Sequence, residues 1–236
     1  DPDLNSADFY TAVWQSFQWD GANWALPVAA DPILLFYDKA AFDAANLPYP
    51  DTWSSIADVE LAIRTLTQLN ADGTVASMGF MNMGAGPELL LLSLLGQDVY
   101  DDSVTPSVPD LSSPDLDNLL TVWAQMQADG LFKPPMSTGS DDEGDFFNPP
   151  LQMGRSSFTG GGPEDAEPKT PVLLPGGHAG LDVNGFAISS GTQYPEEAYE
   201  LVKFLSANPQ VATSFIGSTP ARRTLTGVQA ENPGGF

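Results

Sequence analysis

Cysteine is absent from this chain of 236 residues, and histidine occurs once. No disulfide, thiol nucleophile or thiolate metal site can therefore form, and a multi-histidine metal cluster is excluded. Basic side chains are scarce as well: 8 Lys and Arg stand against 31 Asp and Glu, a formal net charge of −23. Phosphate backbones and anionic lipid repel such a surface, so nucleic acid is not an expected partner. Long apolar runs are missing too. The most apolar stretch, LLLLSLL at 89–95, falls far short of the ~20 residues a membrane-spanning helix needs. The opening Asp-Pro-Asp is acidic and polar, unlike a secretory leader.

What is present argues for a folded chain. Apolar residues make up 42%, which disfavours disorder, and the length suits one large or two modest domains. The acidity has two readings that the residues leave open: a hydrated surface adapted to high salt, or an ordinary acidic secreted protein. Lack of cysteine fits either redox environment.

Strand and helix signals alternate. Phe9, Tyr10, Trp14, Phe17 and Trp19 recur mostly every three or four residues, which predicts a packed helix face. Residues 24–30 and 33–37 read as two short buried strands broken at Asp31-Pro32, because proline removes a donor and restricts its predecessor. Helical patterns cover 39–45, 54–70 with Thr52 as N-cap, 88–95 closed by Gly96, 114–129, 195–205 and 209–216. Further strands are expected at 78–83, 171–174 and 185–189, with a short helix preceding the element at 153–158. The alternation predicts an α/β architecture.

Several chemistries lack their residues. His178 lies in Gly-Gly-His-Ala-Gly, and no Gly-x-Ser-x-Gly elbow accompanies it. Gly160-Gly161-Gly162-Pro163 is followed by no Gly-Lys-Ser/Thr and is not a phosphate-binding loop. Asn70-Ala71-Asp72-Gly73 lacks the further ligands of a calcium loop. No metal or other cofactor is expected. Carboxylate pairs abound in so acidic a chain and specify nothing, so a carboxylate-pair enzyme stays open as an alternative, as does a structural or adhesive surface protein.

Ordered motifs carry a resemblance. Trp24-Ala25-Leu26-Pro27, Leu35-Phe36-Tyr37-Asp38-Lys39 and Pro50-x-Thr52-Trp53 resemble a strand ending in Leu-Pro, an apolar strand ending in Tyr-Asn-Lys, and Pro-x-Thr-Trp. Leu94-Leu95-Gly96, the Met153–Phe158 element, Leu174-Pro175-Gly176-Gly177, Gly185-Phe186-Ala187-Ile188-Ser189, Pro195-Glu196-Glu197-Ala198 and Gly217-Ser218-Thr219-Pro220-Ala221-Arg222 follow in the same order. The set is similar to the carbohydrate-binding branch of the extracellular solute-binding proteins of ABC importers, the maltose-binding-protein-like group. Asp38 replaces the usual Asn, and Phe158 takes the place of a Met.

The resemblance implies a two-lobed periplasmic-binding-protein-like (type II) α/β fold, with ligand held between the lobes. It also implies that the chain lacks the family's N-terminal and C-terminal parts. One lobe would comprise 1–31 and 170–218, the other 32–169 and 219–236. It further implies a small-molecule carbohydrate as ligand, ABC transporter membrane subunits as partners, a monomer, no catalysis, and a periplasmic or extracellular location with cell-surface attachment. Asp31 matches a cleft carboxylate, against the plainer reading of a capping residue. Asn82 follows a strand end, where ligands bind in open α/β sheets, or caps the loop after it. Gly161, Gly162 and Glu164 follow the Met153–Phe158 element, where the family often places a stacking aromatic that this sequence lacks. Asp182 and Asn184 are candidates for the cleft or for a turn, and Arg222 for the cleft mouth or for the surface. Trp24 and Trp53 are expected in the core.

Overall fold

A computed structural model describes residues 4–83, 86, 88–96, 99–101, 103–131, 148–156, 168–214 and 219–226. The chain divides into two compact units, residues 1–32 with 181–236, and residues 33–180. In chain order come helix α1 (Thr11–Gln15), strands β1 (Gln18–Trp19), β2 (Ala22–Asn23) and β3 (Leu26–Tyr37), helices α2 (Lys39–Ala45) and α3 (Ile56–Leu66), and strands β4 (Gln68–Leu69), β5 (Val75–Ser77) and β6 (Phe80–Met83). Helix α4 (Glu88–Leu95), strands β7 (Tyr100–Asp101) and β8 (Val108–Pro109), helix α5 (Pro114–Ala128) and strands β9 (Leu151–Arg155), β10 (Thr170–Val172) and β11 (Gly180–Phe186) follow, then helices α6 (Pro195–Ser206) and α7 (Pro209–Ser214). The architecture is mixed α/β, as the alternation predicts.

Strand β3 is one element of 12 residues rather than two broken at Asp31-Pro32. The proline is tolerated because the ladder changes partners there. Upstream, the Ala30 N–H donates to Thr219 O and the Ala221 N–H to Val28 O, both at 2.9 Å. Downstream, residues from Ile33 onward pair antiparallel with β9, and from Leu35 with β10. Pro32 falls between the two stretches, where its missing N–H interrupts neither. Strand β11 also pairs with β3.

In the second unit, the sheet runs in the order β10-β3-β9-β6, with β6 parallel to β9. Helices α3, α4 and α5 bury Val59, Ile63, Leu90, Trp123 and Met126 against Leu35 and Met153 of this sheet. Helix α3 begins at Ser55, not Thr52, because a reciprocal capping box forms: the Ser55 hydroxyl accepts from the Asp58 N–H, and Asp58 accepts from the Ser55 N–H. It stops at Leu66, four residues before the expected end at 70. Thr67 causes the stop. Its hydroxyl donates to Ile63 O at 2.7 Å and accepts the Gly79 N–H at 3.1 Å, tying the helix end to the lead-in of β6. In the first unit, Phe9, Val13, Leu26, Val202 and Ala221 form one cluster, and Val28, Ala29 and Ala212 another.

Residues 170–180 group with the second unit and 219–226 with the first, the reverse of the expected lobe assignment. The pairing explains both: β10 lies on Leu35, Phe36 and Tyr37, whereas Pro220 bridges Ala29 and Arg222 bridges Phe9. The N-terminal aromatic face is also shorter than expected. Helix α1 covers only Thr11–Gln15, Phe9 is buried ahead of it, and Trp19 stands exposed on the β1–β2 hairpin. Trp24 is 65% exposed rather than in the core, while Trp53 is buried as expected. The strand expected at 185–189 lies at Gly180–Phe186 instead.

Gly79 admits no side chain. A Cβ there would stand 2.6 Å from Ile63 O and 2.7 Å from Thr67 N, both backbone atoms. Gly79→Ala is expected to destabilise the protein by about 1–3 kcal/mol, the usual cost of overpacking against a fixed backbone. Urea unfolding followed by far-UV circular dichroism measures it, and an unchanged midpoint would contradict the account.

Candidate functional site

Asp31 sits on a buried face of β3, two residues from Ala29 and two from Ile33, and is itself 1% exposed. Alternation along a strand puts these three on one side. A carboxylate in such surroundings is costly unless its oxygens are paired. Only one is. Oδ1 accepts from the N–H and the hydroxyl of Thr219, each at 3.3 Å, while Oδ2 is buried with no hydrogen-bond partner. Its neighbour Thr219 is exposed to solvent. Asp31 thus offers an unused acceptor next to a surface residue. Asp31 is not at a strand break, as the sequence suggests, but within a continuous strand.

Arg222, a candidate for a cleft mouth or for the surface, is tied to protein partners through two of its nitrogens. Nε donates to Ser206 O at 3.1 Å and to its hydroxyl at 3.2 Å, and Nη1 donates to Asp8 at 3.2 Å. The guanidinium also lies 4.8 Å from the Phe9 ring centroid, a cation–π contact. Asp8 in turn accepts from the Thr224 N–H and hydroxyl, both at 3.0 Å. The side chains of Arg222 and Asp8 are 12% and 10% exposed. Arg222 is therefore a tie inside the first unit through Nε and Nη1. Burial pushes the Asp8 carboxyl up, but the hydrogen bonds from Thr224 and from Arg222, with the latter's charge, outweigh it and hold Asp8 below the ordinary carboxylate value.

Asp182 and Asn184, two apart on β11, share one face of that strand and are half-buried. Because β11 pairs with β3, both lie on the strand next to the one that carries Asp31. Asn82 belongs to the second unit, on β6 opposite Met153 of β9. Its Oδ1 is buried without a hydrogen-bond partner, a second orphaned acceptor at a predicted position. Gly161, Gly162 and Glu164 lie outside the described residues. Among the described residues, no group of three or more His, Asp or Glu is placed to hold a metal ion, and no helix is long and apolar enough to cross a membrane.

Sequence reasoning missed Asp8, Thr219, Ser206 and Thr224. The one signal was the Thr-Pro-Ala-Arg-Arg-Thr run at 219–224, where two of the chain's eight basic residues are adjacent.

A family model described as bacterial extracellular solute-binding protein matches residues 1–233. Among solved structures, one of CpMnBP1 with mannobiose bound aligns with a TM-score of 0.67 and 19% identity, covering 98% of this chain and 63% of that one. An ABC substrate-binding protein, Lmo0181 from Listeria monocytogenes, in complex with cycloalternan gives 0.62 and 18%, covering 93% and 58%. The maltose-maltodextrin binding protein of the thermoacidophilic bacterium Alicyclobacillus acidocaldarius gives 0.58 and 14%, covering 97% and 61%. The chain thus spans about three fifths of the length of these proteins. No curated protein sequence matches it.

Asp8 supplies a pH test. Its depressed carboxyl contributes stability that is present at neutral pH and is lost as pH falls through and below the ordinary carboxylate range, about pH 4. Asp8→Asn is expected to lower stability at pH 7, with the gap from the parent protein closing toward pH 3. Chemical unfolding of both proteins across that range measures the gap. A constant difference would contradict the account.

Proposed function

Because the chain belongs to the bacterial extracellular solute-binding protein family, we propose that it captures a sugar or oligosaccharide and delivers it to the membrane subunits of an ABC importer. The proposal includes an extracytoplasmic location with attachment at the cell surface, action as a monomer, and binding without turnover. Mannobiose, cycloalternan and maltodextrins, which the structurally similar proteins bind or are named for, give the ligand class.

The observation that carries this reading is the bare Oδ2 of Asp31. Sugar hydroxyls donate strongly to a carboxylate, and the gain is greatest where water is excluded. An orphaned buried acceptor has a standing cost, which a ligand hydroxyl would relieve. The orphaned Asn82 Oδ1 supports the same reading as a neutral acceptor. Asp182 and Asn184, with Gly161, Gly162 and Glu164 by resemblance, complete the proposed polar set. Arg222 joins the set only through guanidinium donors other than those bound to Ser206 and Asp8.

The test is thermal unfolding with mannobiose, maltose and D-mannitol, together with chromatography of each sugar afterwards. A binder is stabilised by about 2.7 kcal/mol at a ligand concentration 100 times Kd, with the sugar recovered intact. Asp31→Asn is expected to fold and to bind about ten- to a hundredfold more weakly, the loss of one buried hydrogen-bond acceptor. Cleavage of the offered glycan would support the carboxylate-pair enzyme instead. A flat response to every sugar would favour a structural role.

A further inference from the structure

The contacts around Asp8 reach Asp31 through one short segment. We infer that the Asp8–Arg222–Thr224 cluster is a positioning latch: it holds residues 219–224 so that Thr219 occupies one oxygen of Asp31 and leaves the other bare for a ligand. This inference rests on the reading of Asp31 as a ligand acceptor.

The segment is held at two ends of unequal strength. Next to β3, Thr219–Ala221 is attached by two backbone bonds, Ala30 N–H to Thr219 O and Ala221 N–H to Val28 O, plus the bridge of Pro220 to Ala29. Pro220 and Ala221 are buried, Ala221 in the cluster with Phe9 and Val202, so the end of this short ladder that frays readily is the exposed Thr219. The two bonds from Thr219 to Asp31 are long, at 3.3 Å each, and add little restraint. Beyond Ala221 the anchoring is denser. Arg222 reaches Asp8, Ser206 and the Phe9 ring, Arg223 Nε donates to Phe9 O at 3.1 Å, and Thr224 gives Asp8 both its N–H and its hydroxyl. Of these, the Arg222–Asp8 bond is charge-assisted between mostly buried side chains, which is the strong kind. The order of strengths sets the direction of dependence: the latch places Thr219, and Thr219 orients Asp31. Were Thr219 free to shift, Asp31 could rotate, and either oxygen could be covered. Asp8 and Arg222 act through Thr219 and are positioning residues.

The experiment reads amide hydrogen exchange and the side-chain carboxyl carbon resonance of Asp31 by NMR, both independent of any ligand. Asp8→Asn is expected to speed exchange of the Thr219 amide about tenfold and to move the Asp31 resonance. The Val202 amide, in α6 of the same unit, keeps its parent rate. Thr224→Val, which removes only the hydroxyl, gives the same pattern to a smaller degree and serves if Asp8→Asn fails to fold. Thr224→Ser retains both donors and should match the parent. Unchanged Thr219 exchange would overturn the latch, and so would Thr219 and Val202 speeding together, since that is general loosening. The sugar measurement separates the two proposals. If Asp31→Asn leaves mannobiose and maltose stabilisation intact while Asp8→Asn moves Thr219 and Asp31 alone, the latch stands and the ligand reading fails. If the amides do not respond, the latch fails whatever the sugars do.

Discussion

A half-satisfied carboxylate inside a buried strand is the constraint on which the first unit turns. Folding alone gives no reason to place Asp31 between Ala29 and Ile33, since an apolar residue there would avoid the desolvation cost. The surrounding structure makes the position tolerable without making it comfortable. One oxygen is met by Thr219, the other by nothing. Cost that the fold retains and does not relieve is a mark of a site that serves something other than stability.

Strand β3 gathers the consequences. Its burial is nearly continuous because it pairs with β11 and with residues 219–221 at one end and with β9 and β10 at the other. Pro32 sits at the exchange of partners, so its missing donor does little harm. The second unit uses a different economy of contacts. There Thr67 and Gly79 bring a helix end and a strand start within backbone contact, which fixes the height of α3 against the sheet that carries Asn82.

Much of this was legible in the residues, and the failures share a cause. Helices α2 and α4 fall at the expected boundaries because their stop signals are local: Asn46 and Gly96 both take positive φ. The α/β class followed from alternation, and the family from ordered motifs. Asp31 and Asn82 were picked out as candidates, yet their orphaned oxygens are visible only once neighbours are known. What the sequence hid was long-range. Nothing near Pro32 announces that two different partners would flank it. Nothing in residues 219–224 says that Asp8, more than two hundred positions earlier, receives their donors. Trp24 looks like core by composition and proves exposed, its indole N–H held instead by Trp19 O at 3.0 Å.

Four of the five tryptophans are divided by environment. Trp19 and Trp24 stand in solvent in the first unit, whereas Trp53 and Trp123 are sealed in the second. Indole emission shifts to the red in water and is quenched by collision only where a quencher can reach it. The intrinsic fluorescence of this protein is therefore a composite of a wet, quenchable component from Trp19 and Trp24 and a dry, protected component from Trp53 and Trp123, with the part-buried Trp14 between them.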